Sequence, residues 1–109
     1  MKLTNTVNGL LLSAAVIATL GASSAMAADG KALYTEKLCV TCHGAEGKAP
    51  IIPTYPKLAG QNKEYLIAQT TMIKEGVRTG GMTAAMMPLV AAVTAEEIEA
   101  ISEYLSSVE

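Results

Sequence analysis

Five consecutive residues, Cys39-Val40-Thr41-Cys42-His43, hold the densest chemistry in the chain. Their spacing is C-x-x-C-H, the attachment sequence of c-type haem. Two thiols three positions apart can each add to one vinyl group and anchor a macrocycle along one edge. The histidine that follows can then sit beneath the iron as the proximal ligand. Other chemistries use similar residues. A thioredoxin-like dithiol shares C-x-x-C but belongs to a strand–helix alternation, which this sequence lacks. A zinc site needs a fourth ligand, and the chain has two Cys and one His in all. A Cys39–Cys42 disulfide would close too short a loop to constrain the unfolded chain much.

The single histidine limits the iron further. With His43 below, the opposite axial position goes to Met, to a less usual donor such as Lys, or stays open. Met82, Met86 and Met87 cluster in a stretch rich in Gly and Pro, Val77 to Pro88, while Leu and Ile serve the helical patterns. A neutral thioether favours the ferrous ion and raises the potential.

Not all 109 residues belong to the working protein. Residues 1–27 read as a cleaved secretory signal: Lys2 is the only charge before Asp29, Leu10 to Leu20 is apolar, and Ala25-Met26-Ala27 fits the A-x-A cleavage pattern. The rival reading is an uncleaved anchor, but Thr19, Ser23 and Ser24 interrupt the apolar run and about 20 apolar residues are needed to span a bilayer. Cleavage leaves no membrane span and one domain, 28–109. Without Lys2, seven basic residues face ten acidic ones, a balance that argues against nucleic acid. Lys31, Lys37, Lys48, Lys57, Lys63 and Lys74 could still form one positive face toward a protein partner. With no Phe or Trp and four Tyr, so small a chain buries little apolar surface and needs a staple. A buried porphyrin supplies a large flat apolar body.

The elements that must position these residues are helical. Asp29 caps a short helix from Gly30 toward Leu38, with Leu33, Tyr34 and Leu38 on one side and Gly30 free for close approach of another helix. Gly44 to Gly60 carries too many Gly and Pro for a helix and reads as a loop wrapped on the haem edge. Asn62 or Gln61 caps a helix from Lys63 to Glu75 that stops at Gly76, with Tyr65, Leu66, Gln69, Met72 and Ile73 on one face. Val77 to Pro88 reads as a second loop. Thr94-Ala95-Glu96-Glu97 is a capping box that opens the last helix, with Ile98, Ile101, Leu105 and Val108 in register beside Tyr104. The fold class is all-α: three to four short helices and two long loops around one covalent haem.

The sequence resembles the class I monohaem cytochromes c, in particular the small periplasmic branch related to the domains of dihaem cytochromes c. The resemblance runs through Gly30, Tyr34, Cys39, Cys42, His43 and Gly44, then Pro53-Thr54-Tyr55-Pro56-Lys57-Leu58-Ala59-Gly60-Gln61, Tyr65-Leu66 and Gln69. It continues through Gly76, Arg78, Met86-Met87-Pro88 and Tyr104-Leu105. It implies a Met ligand eight residues before the cap of the last helix, which is Met86, with Met87 and then Met82 as the alternative candidates. It also implies that a proline carbonyl accepts the outer N–H of His43; Pro53 takes that role and Pro50 competes for it. The chain departs from the family pattern at Val93, where Leu is usual, and in the Ile51-Ile52 approach to Pro53.

The resemblance implies a periplasmic one-electron carrier, not an enzyme, with haem c held by Cys39 and Cys42 and His43/Met86 on the iron. Its partners would be other redox proteins: a quinol-oxidising complex, a terminal oxidase or a periplasmic dehydrogenase. Three alternatives keep different parts of that reading. One is a haem-bearing subunit of a dehydrogenase, for example a flavoprotein oxidising a sulfur compound. Another is a haem enzyme or gas sensor with an open sixth site. The last is a dithiol oxidoreductase.

Overall fold

A computed structural model describes residues 28–109; the segment read as an export signal lies outside them. Five α-helices follow in order: α1 Gly30–Glu36, α2 Cys39–His43, α3 Lys63–Lys74, α4 Thr83–Val90 and α5 Ala95–Ser107, with a 3-10 turn at Ala45–Gly47. No strand occurs among the described residues.

α1, α3 and α5 each start after a side chain that satisfies a free N–H group of the first turn. Asp29 accepts from Ala32 N at 3.1 Å, and Asn62 accepts from Tyr65 N at 3.1 Å. At α5 the capping box is complete: Thr94 Oγ1 accepts from Glu97 N at 3.2 Å, and Glu97 Oε2 accepts from Thr94 N at 2.9 Å. The Thr94 N–H, with Lys37 beside it at 3.2 Å, holds the Glu97 carboxyl below the usual carboxylate range. The end of α3 is a Schellman motif. Gly76 sits at φ 72°, its N–H bonds to Ile73 O at 3.1 Å, and Val77 N bonds to Met72 O at 2.8 Å.

α1 crosses α5 at Gly30. A Cβ there would stand 2.0 Å from the Ala100 carbonyl oxygen and 2.8 Å from Tyr104 Cβ, so only glycine lets the helices approach this closely. Tyr34, Leu66, Val93, Ile98, Ile101 and Leu105 form the buried cluster that α1, α3 and α5 share. Lys63 straps α3 to α5 through Glu103 at 2.7 Å and Glu99 at 3.4 Å.

Four expectations change. Leu38 is not in α1: the helix ends at Glu36, and Leu38 lies at φ 65° between α1 and α2, half exposed. α3 ends at Lys74, with Glu75 as its cap. The second loop is mostly helix: α4 begins directly after Gly80-Gly81 and runs through Pro88. Proline lacks an N–H, so α4 forgoes one internal bond there, and the Ala91 N–H bond to Met87 O at 3.1 Å resumes the ladder. Finally, four of the six lysines that could have formed a positive face have partners. Lys37, Lys48 and Lys63 are engaged by Glu97, Glu46 and the Glu99/Glu103 pair, and Lys74 Nζ donates to the Val93 carbonyl.

Candidate functional site

The helices enclose a cavity of about 350 Å³, a size suited to a small ligand or cofactor. α2 contributes Cys39, Cys42 and His43; α3 contributes Tyr65, Leu66, Gln69, Thr70 and Ile73; α4 contributes Thr83, Ala85, Met86, Leu89 and Val90; α5 contributes Ile98, Ile101, Ser102 and Leu105. The lining is mostly apolar and contains no acidic residue. His43, Thr83 and Ser102, the buried polar residues of the described chain, all line it.

α2 is short but firmly placed. The left-handed turn at Leu38 redirects the chain out of α1, so the five residues of the motif form their own turn and a half of helix. Gly44 N closes that helix on Val40 O at 3.0 Å, and Ile51 N bonds to Cys42 O at 3.0 Å. The Tyr34 hydroxyl donates to the Gly44 carbonyl at 2.6 Å, tying the end of the motif to α1. Tyr34 also packs on Tyr104 with ring centroids 6.0 Å apart.

His43 is 5% exposed, and its Nδ1 lies 3.0 Å from the Pro56 carbonyl oxygen. A carbonyl only accepts, so the proton sits on Nδ1 and the lone pair on Nε2, the tautomer a metal-ligating imidazole needs. Pro56, not Pro53 or Pro50, supplies that carbonyl. The physical reason is a turn: Tyr55 N bonds to Ile52 O at 3.1 Å, which puts Pro53 at the second position of a β-turn, exposed and away from the cavity lining. The chain returns to the imidazole three residues later. The spacing of prolines alone does not distinguish 53 from 56; the turn does.

Cys39 and Cys42 are both free thiols on the cavity wall, and burial pushes the Cys39 thiol above its ordinary value. A dithiol oxidoreductase needs the opposite, a thiol made acidic by its surroundings. Across the cavity Met86 and Met82 reach the lining, whereas Met87 does not. Adjacent residues of a helix face directions about a quarter-turn or more apart, so α4 can present one of the Met86-Met87 pair and not both. Thioether formation at both cysteines, an imidazole with a free lone pair and an apolar body around them are what a covalent haem requires, and the residues present fit it.

Sequence comparison agrees with this chemistry. Residues 27–109 match the profile of the family described as Cytochrome c. The chain is 39% identical to cytochrome c-554(548) of Halomonas halodenitrificans over 65% of its own length and 84% of the relative's. It is 35% identical to cytochrome c-553 of Nitratidesulfovibrio vulgaris, covering 89% of this chain and 93% of that one. A third relative, the thiosulfate dehydrogenase electron acceptor of Stutzerimonas stutzeri, is 33% identical over 86% of the chain, which spans 45% of that protein. Among solved structures, reduced cytochrome c4 from Pseudomonas stutzeri superposes with a TM-score of 0.64 at 29% identity, over 76% of this chain and 48% of that one. The family profile spans all the described residues: the chain belongs to the cytochrome c family, and its cofactor is one covalently bound haem c.

Proposed function

We propose that the protein is a periplasmic one-electron carrier in which Cys39 and Cys42 hold the haem and His43 and Met86 are its axial ligands. One observation carries this reading: a single apolar cavity gathers both thiols, the imidazole and Met86, with Met82 half exposed on the same lining, and leaves Met87 outside. The bound haem supplies Fe(III)/Fe(II) exchange of one electron. The protein's part is positional. Pro56 holds the His43 tautomer and the buried cluster excludes water; with His43 and Met86 both committed to the haem, no position would be left for a substrate, which would make the chain a carrier and not a catalyst. Residues 1–27 act as a cleaved export signal, so the working domain is 28–109. No helix among the described residues is long and apolar enough to cross a membrane.

The partners are other redox proteins, met through a small transient contact. Leu38, Tyr65, Met82 and Leu89 are exposed where they line the cavity, which offers an apolar rim for such a contact. The relative named a thiosulfate dehydrogenase electron acceptor favours a second reading, service to one periplasmic dehydrogenase as its haem-bearing subunit. Gel filtration of the native protein separates the two: a free carrier elutes alone, a subunit elutes with its enzyme.

The test of the ligand set is spectroscopic. A pyridine haemochrome assay should report covalent haem c, and the oxidised protein should show a sulfur-to-iron charge-transfer band. Met86→Ala should keep the haem attached, lose that band, lower the potential and admit carbon monoxide to the ferrous iron. Met87→Ala should retain the band. The reverse result would move the ligand by one residue.

A further inference from the structure

Between the haem-attachment motif and α3 the chain runs through residues 51–57, and Tyr55 is the one residue of that stretch that is not exposed. It lines the cavity, and its ring stands against the His43 imidazole with centroids 6.2 Å apart and planes tilted by 43°. Aromatic rings at separations of about 4.5–7 Å favour tilted or offset contacts of this kind over a flat sandwich.

The stretch is staked at both ends and in the middle. Ile51 N bonds to Cys42 O at 3.0 Å, and Leu58 N bonds to Gly47 O at 2.9 Å. Between them Tyr55 N bonds to Ile52 O at 3.1 Å, and the ring of Pro56 steers the Tyr55 backbone away from the helical region. The backbone of Tyr55 therefore has little freedom, and its side chain is delivered to one place. The imidazole needs such a neighbour. The χ2 torsion of a histidine is broad, and a carbonyl accepts over a wide range of directions. The contact between Nδ1 and the Pro56 carbonyl thus sets the tautomer and leaves the plane of the ring free to rock.

We infer that Tyr55 is the positioning residue that sets the plane of the His43 ring, leaning on it from the side while Pro56 holds its proton. The inference rests on the reading of His43 as a ligand of the haem iron, and adds a role for a residue outside the thiols and the iron ligands. Its consequence is electronic. The imidazole π orbital overlaps iron d orbitals along one direction of the macrocycle, so the ring plane decides where the unpaired electron of low-spin Fe(III) spreads. A contact with a neutral ring does not change with the charge of the iron, so the plane stays put in both oxidation states. That suits exchange of one electron with little rearrangement.

The experiment is proton NMR of the holoprotein, in which the haem-methyl shifts of the oxidised form report the direction of that spin. Tyr55→Phe keeps the ring and should reproduce the wild-type pattern. Tyr55→Leu keeps apolar bulk without a flat face, and its methyl shifts should redistribute. Hydrogen exchange at His43 Nδ1 in the reduced form should speed up about fivefold in Tyr55→Leu, as loss of one ring contact implies. The sulfur-to-iron band should persist in both variants. A Tyr55→Leu protein that melts earlier yet keeps wild-type methyl shifts and exchange would make the role structural only and overturn the inference. A Tyr55→Phe protein that behaves like Tyr55→Leu would overturn it too. Should Tyr55→Leu not fold, the wild-type reduced protein still decides: a nuclear Overhauser contact between the Tyr55 and His43 rings is expected, and its absence overturns the inference. A wild-type protein that fails the pyridine haemochrome test sinks the haem reading instead, before any variant is made.

Discussion

Tyr34 does more than fill space. It is 2% exposed, packs at a tilt on Tyr104 and donates a hydrogen bond from its hydroxyl to the carbonyl of Gly44, the residue after His43. Burial pushes its phenol from 10.0 up to about 12. The folded state therefore holds this proton more tightly than the unfolded chain. The stabilisation is fully present below the unfolded value and is lost as pH rises from 10.0 to about 12. Tyr34→Phe should cost about 1 kcal/mol at neutral pH from the lost hydrogen bond. The gap between wild type and variant should then narrow through the alkaline window. Urea titrations at stepped pH check this, and parallel stability curves would contradict it.

Among the elements, α2 depends on a residue in an unfavourable conformation. Leu38 is held at φ 65° so that α2 can leave α1 at an angle. A left-handed L-residue costs roughly 1–2 kcal/mol. Leu38→Gly and Leu38→Ala both remove the side chain, but only glycine relieves the backbone. Leu38→Gly should therefore be the more stable of the two by about 1 kcal/mol in thermal or urea unfolding of the holoprotein. Equal stabilities would mean that the strain is absent. The same elements show what the sequence could and could not disclose. Asp29, Asn62, Gly76 and the Thr94/Glu97 box are local signals, and each marks a real helix boundary to within a residue. The motif Cys39–His43 names its chemistry without reference to the fold. By contrast α4 was hidden, because Gly80-Gly81 and Pro88 signal a break while the packing of Val90 and Thr83 against the rest of the molecule decides for helix. Pro56 was hidden for a different reason. Its carbonyl meets His43 only after a β-turn has lifted Pro53 outward, a fact of chain path with no residue of its own to announce it.

At the scale of the whole molecule, the cavity is the centre around which α2, α3, α4 and α5 stand, and their apolar faces are turned to it. The buried cluster by itself is six residues with a single aromatic, Tyr34. Without the macrocycle those faces would border a void, and voids are costly in proportion to their volume. The double variant Cys39→Ala/Cys42→Ala, made where haem cannot attach, should therefore lose most cooperative unfolding and much of its helical circular dichroism. A cooperative, fully helical apoprotein would mean that the polypeptide core suffices alone.

The glycine pair ahead of α4 makes the two sides of the iron unequal. On the proposed His43 side, Pro56 holds the imidazole and Tyr34 holds the chain just after it. On the other, the proposed ligand Met86 rides on an eight-residue helix that enters through two glycines with open space where a side chain would stand. Gentle denaturation should thus detach the metal from its methionine first and leave the rest standing, so that colour would fade in advance of shape.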